Sequence, residues 1–230
     1  MSIAILCPTR GRPEEFKRMR ESVEKTATSS IGIYAVSNGQ DSYVPNVSVD
    51  MPTVHMWNSL CKNAMTNPKN QLFMLGADDT VFSTPGWDDA ILDHYNNLED
   101  KIHVYSFQDS RDRDGTPHPI VTREYIDAMG YFLPPIYLHW FVDLWTVAIA
   151  KANNCFTHLH DYQLIHIKPS DSGNPDETHS RIRRMGWHDR DKYVNDTCQH
   201  FLSFEKNRLG SAIMAKKHQK FLQSMPCEFT

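Results

Sequence analysis

Apolar positions fall in short unbroken blocks that alternate with longer stretches at helical spacing. Ile3-Ala-Ile-Leu-Cys7 is an apolar run closed by Pro8, the length and composition of a buried strand. Pro13 then marks the first position of a helix, with Glu14 and Glu15 in its first turn and Phe16, Met19 and Val23 on one face. The pair recurs twice more and a fourth strand follows. Ile31–Val36 predicts a second strand, and Val54, Trp57, Cys61 and Ala64 a second helix. Leu72–Leu75 predicts a third strand, Trp87, Ile91, Tyr95 and Leu98 a third helix, and Ile102–Phe107 a fourth strand. Such alternation implies an α/β fold: a mostly parallel sheet flanked by helices, with ligand loops at the carboxyl ends of the strands. Beyond about residue 155 the pattern loosens into a strand over Gln163–Ile167, a Pro/Gly loop over Pro169–Pro175 and a helix over Phe201–Leu222. Residues 1–180 read as the ligand-binding domain, and 181–230 as a basic, mainly helical segment packed on it.

The strand ends carry the polar groups. The third strand stops at Gly76 and is followed by two adjacent carboxylates, Asp78 and Asp79, then by Pro85-Gly-Trp87. Carboxylates at the carboxyl end of a buried strand project into the crevice where open α/β sheets bind ligands, and there they suit a hard divalent cation. The plain alternative for the pair is a turn or a helix cap. The first loop offers Pro8, Thr9, Arg10 and Arg12, whose guanidiniums suit phosphates because they are planar and bidentate. The second offers Asn38 and Asp41, where an Asn-Gly turn is the simpler reading. Asp143 interrupts an apolar stretch between Leu138-His-Trp-Phe-Val and Leu144-Trp-Thr-Val, where a carboxylate is costly unless it faces a polar crevice or caps a helix.

Composition narrows the classes. Five cysteines without a Cys-x-x-Cys pair give neither a disulfide framework nor a zinc ribbon, and a reducing cytoplasm is the expected home. No run of about 18 apolar residues predicts a membrane span or anchor. Residues 1–170 hold 14 Lys and Arg against 20 Asp and Glu, whereas 171–220 hold 10 against 7. A mildly basic segment therefore follows an acidic body, either as solvated helix surface or as a patch for a phosphate-bearing ligand.

Taken together, the Pro-Thr-Arg loop, the Ser37-Asn-Gly-Gln-Asp41 turn, the Asp-Asp strand end with Pro85-Gly-Trp87, and Trp140-Phe-Val-Asp143 make residues 3–180 resemble family 2 glycosyltransferases of the GT-A type. The resemblance implies a nucleotide-sugar donor and Mn²⁺ or Mg²⁺ held by Asp78, with Asp79 and His166 as further ligands. It implies donor contacts from Pro8, Thr9, Arg10, Arg12, Asn38 and Asp41. The segment His179–Arg184, which follows the Pro/Gly loop, reads as a lid whose Arg181 and Arg184 meet the diphosphate, or else as a contact for an anionic acceptor. The resemblance also implies Asp143 as the base that deprotonates an acceptor hydroxyl, with inversion at the anomeric carbon. Two positions depart from the family pattern: Gly76 stands where an Asp-x-Asp motif begins, and Val142 where a Glu precedes the base.

The acceptor follows from the resemblance together with the basic segment. Small anchor-free enzymes of this type look like those of bacteriophages, some of which glycosylate hydroxymethylated pyrimidines in DNA, and the basic segment would then hold phosphates through Arg181, Arg183, Arg184 and the lysines of Ala215–Lys220. A polysaccharide or cell-envelope glycan is the competing acceptor. A nucleotidyltransferase, or a non-catalytic sugar- or nucleic-acid-binding module on the same fold, is the alternative outside the class.

Overall fold

The computed structural model describes residues 1–39, 41–111, 117–167 and 177–224. The expected loop at Pro169–Pro175 and the middle of the charged loop after Phe107 lie outside them. The strands are β1 (Ser2–Thr9), β2 (Ile31–Ser37), β3 (Asn70–Leu75), β4 (Thr80–Phe82), β5 (Val104–Asp109), β6 (Ile120–Thr122) and β7 (Phe156–His166). The helices are α1 (Pro13–Thr26), α2 (Thr53–Met65), α3 (Trp87–Asn97), α4 (Arg123–Met129), α5 (Val142–Ala152), α6 (Glu177–Arg184), α7 (Trp187–Thr197) and α8 (Gln199–Ser224).

Among the described residues the strands form one sheet in the order β2-β1-β3-β6-β5-β7-β4. β1 pairs in parallel with β2 and β3, and β5 with β7. β6 runs against both β3 and β5, and β4 against β7. The sheet is thus mixed, yet β1, β2, β3, β5 and β7 share one direction, which gathers their carboxyl ends along one edge.

The two-residue period of β1 explains the two core layers. Ile3, Ile5 and Cys7 point to one face, where Met19 and Val23 of α1 and Trp87, Ile91 and Tyr95 of α3 pack. Ala4 and Leu6 point to the other, where Val54, Trp57 and Leu60 of α2 meet Trp145 and Ile149 of α5. Leu209 and Ile213 of α8 join this second layer, so the carboxyl-terminal helices share the domain's core. No helix among the described residues is long and apolar enough to cross a membrane.

Candidate active site

The carboxyl ends of β1, β3 and β7 and the amino end of α5 surround a cavity of about 330 Å³, a volume in the range of small-molecule sites. Of the residues singled out in the sequence, Pro8, Thr9, Arg10, Arg12, Asn38, Asp78, Asp79, Asp143, His166 and Arg181 all line it. Asp41 and Arg184 do not. The Asp41 carboxylate instead ties the first two loops together, accepting from the Gly11 backbone N–H at 2.9 Å and from the Ser37 hydroxyl.

Asp78 and Asp79 occupy a turn between β3 and β4 and are 5% and 8% exposed. Both oxygens of Asp78 are engaged. Thr9 Oγ1 donates to Oδ2 at 2.6 Å, and an Arg12 guanidinium nitrogen lies 3.2 Å from Oδ1. Burial pushes the Asp78 carboxyl up to about 6, against the lowering pull of Arg12. For Asp79 burial also acts upward, but the hydrogen bond and charge of His166, with the charges of His118 and Arg12, outweigh it and hold the group at about 2. His166 Nε2 sits 3.3 Å from Asp79 Oδ2, so the histidine meets the second carboxylate of the pair rather than Asp78.

Three arginines face the cavity with different duties. Arg12 bridges Asp78 and Asp79 at 3.2 and 3.8 Å. Arg10 donates to the Asn38 carbonyl at 2.7 Å and approaches the Asn38 side-chain oxygen at 3.3 Å, while Asn38 Nδ2 donates to the Met51 carbonyl at 3.2 Å. The amide expected to read a base edge is thereby engaged in holding its own loop. Arg181 reaches the carbonyl of Val49 and lies over the Trp187 ring. Burial, then the charge of Arg10, pushes the Arg181 guanidinium below its ordinary value. Two cationic groups therefore lie within electrostatic reach across the cavity, which favours an anion between them.

Asp143 stands in the first turn of α5, behind Phe141, which caps the helix in the left-handed region at φ 68°. The loop feeding this helix is pinned by Asp191 of α7, a carboxylate with 0% exposure. It accepts the backbone N–H groups of Leu138, His139 and Trp140 at 2.9, 2.7 and 2.9 Å. These three donors, with the Arg190 guanidinium 3.2 Å from Oδ1, compensate the burial of the charge and fix the backbone that aims Trp140 and Asp143 at the cavity. The basic segment divides: α6 forms part of the cavity wall through Thr178, Arg181 and Ile182. Lys216 and Lys220 reach the carbonyls of Asp100 and Glu99, before the amino end of β5 and so at the opposite edge of the sheet.

No family model matches the chain, and no curated protein matches it significantly. Solved structures do. Staphylococcus aureus TarS superposes with a TM-score of 0.56 at 13% identity over 75% of this chain and 38% of TarS. TarS 1–349 in complex with UDP gives the same TM-score and identity, and 62% of it is covered. This chain spans less than two thirds of either form. The mannosyltransferase PcManGT from Pyrobaculum calidifontis, in complex with GDP-Man and Mn²⁺, superposes at TM-score 0.55 and 10% identity over 97% of this chain and 76% of that one. The chain has the GT-A fold.

At Gly76, where the resemblance implies the first Asp of an Asp-x-Asp motif, there is no room for a side chain. A Cβ there would stand 2.7 Å from Ile5 Cγ2 and 2.9 Å from the Leu6 carbonyl oxygen. The approach is held by the Gly76 N–H donating to that same carbonyl at 2.9 Å, and by Trp57 Nε1 bridging the Leu6 and Gly76 carbonyls at 3.1 Å each. Gly76→Asp is therefore expected to lower stability by about 1–3 kcal/mol without strengthening nucleotide binding. Thermal melts and a nucleotide titration check this; an unchanged melting temperature with tighter binding would refute it.

Several cavity residues escaped the sequence reading. His118, between Pro117 and Pro119, is 5% exposed, lines the cavity and has φ 59°. Burial, then the charge of His166, pushes its imidazole down to about 4. Trp57, His139 and Trp140 complete an aromatic wall. Trp57 reads locally only as part of the apolar stripe of α2 and Trp140 only as part of the Trp140–Asp143 motif, and the cavity they share with His118 and His139 exists only after folding.

Proposed function

We propose that this chain is a divalent-metal-dependent glycosyltransferase that moves a sugar from a nucleotide-sugar donor to a hydroxyl acceptor, with inversion. The observation that carries the reading is the convergence, in one cavity of a GT-A fold, of buried carboxylates, paired arginines and a separate carboxylate on α5. His166, oriented by Asp79 at 3.3 Å, offers a nitrogen donor to a divalent cation at the cavity wall. When bound, the cation would offset the charge that develops on the leaving diphosphate.

The chain's own groups divide the remaining work. Arg10 and Arg181 attract the phosphates, and Arg12 keeps Asp78 and Asp79 from repelling them. Asp143 takes the proton of the acceptor hydroxyl, and the single-displacement geometry inverts the anomeric centre. The aromatic wall around Trp140 gives the acceptor a flat apolar face, which suits a sugar ring or an extruded base equally. A glycan and a 5-hydroxymethylpyrimidine in DNA are therefore the two acceptor classes to offer. For the DNA reading, Arg181 of α6 lines the cavity, and the α8 lysines that reach Asp100 and Glu99 do not.

The test is a mass-spectrometric assay with Mn²⁺ and a panel of UDP- and GDP-sugars, with duplex DNA with and without 5-hydroxymethylcytosine and a glycan panel as acceptors. Metal-dependent release of nucleoside diphosphate is expected, with a sugar-sized mass gain on one acceptor class. Release from no donor in the panel overturns the enzyme reading and favours a binding module.

A further inference from the structure

We propose that Asp109, His118 and His166 form a nitrogen-rich cation site that is built before any donor arrives and that selects a first-row transition metal over Mg²⁺. Its part in catalysis rests on the glycosyltransferase reading; its capacity to bind metal does not. One ligand atom from each of the three residues lies within 4.8 Å of the others. Donors around a common metal sit about 3–4 Å apart at ordinary bond lengths, so a contraction of about an ångström closes the set.

His118 is the residue that points to a ligand. Its Nδ1 lies 3.1 Å from the Leu75 carbonyl oxygen. A carbonyl can only accept, so Nδ1 carries the proton and Nε2 presents its lone pair. That Nε2 is buried and has no hydrogen-bond partner among the described residues, although the ring lines the cavity. A neutral imidazole with one nitrogen fixed by a backbone carbonyl and the other aimed at a carboxylate and a second imidazole is prepared for a metal rather than for a protein partner.

His166 completes the arrangement. Its ring lies 5.4 Å from that of His118 at an interplanar angle of 68°. Nδ1 is 3.8 Å from Asp109 Oδ2 and Nε2 is 3.3 Å from Asp79 Oδ2. With one nitrogen on the metal, the other faces a carboxylate that orients the ring. Asp78, the first ligand expected from sequence, stands apart from this set, because Thr9 and Arg12 already engage its two oxygens. Two imidazoles and one carboxylate suit Mn²⁺, Co²⁺ or Zn²⁺, whereas Mg²⁺ prefers oxygen ligands and keeps its waters.

The experiment is titration of EDTA-stripped full-length protein with Co²⁺ in the absence of nucleotide, followed by visible d–d absorption. One equivalent should bind, and excess Mg²⁺ should not displace it. Asp109→Asn and His118→Gln should each weaken binding by about tenfold or more, while Asp78→Asn binds as the unaltered protein does. No Co²⁺ binding without nucleotide, displacement by Mg²⁺, or equal loss in Asp78→Asn overturns the site. Circular dichroism checks the folding of each variant, and if His118→Gln does not fold, Asp109→Asn decides alone. Nucleoside diphosphate release in the same preparations separates the two readings. Co²⁺ bound without donor turnover supports the site and counts against the glycosyltransferase, and turnover with Mg²⁺ but no nucleotide-free Co²⁺ binding does the reverse.

Discussion

Replacing Asp143 by Asn is expected to lower sugar transfer by about 10²–10⁴-fold, the range for removing a positioned general base, with donor affinity unchanged. Asn matches Asp in size and can still sit in the first turn of α5, but it cannot take a proton. The position is held from both sides. Val142, Trp145 and Thr146 of the same helix are buried, and Asp191 anchors the preceding backbone through Leu138, His139 and Trp140. A competing role exists, because an acidic residue in the first turn stabilises the positive end of a helix by about 0.3–1 kcal/mol. The two roles separate cleanly. If Asp143 only stabilises the helix, Asp143→Asn lowers the melting temperature slightly and leaves kcat intact. If it is the base, kcat at saturating donor collapses while donor binding, read by calorimetry, and the melting temperature stay close to those of the unaltered protein.

How far the site could be read from sequence depended on whether its residues announce themselves locally. Asp143 does, as the lone acid in an apolar helix, and so do Asp78 and Asp79, at the end of an apolar run. The main strands were legible because apolar blocks such as Ile3–Cys7 must be buried on both faces, and the structure places them so. β4 and β6 were not, since each has only three residues and no period can be counted over three positions. Those two strands make the sheet mixed. Asp191 and His118 were invisible for a different reason: both are buried polar groups whose meaning lies in contacts across 40 or more positions, Asp191 with Leu138–Trp140 and His118 with Leu75. Asp41 was visible as a polar turn residue, yet its carboxylate is consumed by Gly11 and Ser37, a structural task that composition cannot tell from ligand binding.

Arg12→Ala is expected to destabilise the fold by about 3–5 kcal/mol at neutral pH, the usual cost of leaving a buried carboxylate without its cation. Arg12 is the guanidinium beside both Asp78 and Asp79. Asp79 also has His166 at 3.3 Å, so the loss falls mainly on Asp78, which is left with the Thr9 hydroxyl. The pH dependence follows from the direction of the shift. Burial already raises Asp78 to about 6 from 3.8, and removing Arg12 raises it further. A carboxyl with a raised folded-state value takes up a proton on folding, so its contribution to stability is full below about pH 4 and is lost as pH rises through the folded value. The deficit of Arg12→Ala should therefore be small near pH 5 and large at pH 8. Asp79 works in the opposite sense, contributing above 3.8 and losing that contribution as pH falls toward about 2, which makes pH 5 to 8 the window in which Asp78 is read. Melting temperatures at the two ends measure the effect, and Arg12→Ala combined with Asp78→Asn should recover much of the loss at pH 8. In that double variant the Asn amide can donate to Thr9 Oγ1, whose own proton turns toward Tyr43 at 3.0 Å, leaving no buried charge at position 78, while Asp79 retains His166. An equal deficit at both pH values without recovery would mean that Arg12 acts by packing its aliphatic stem and not as the internal cation of the site.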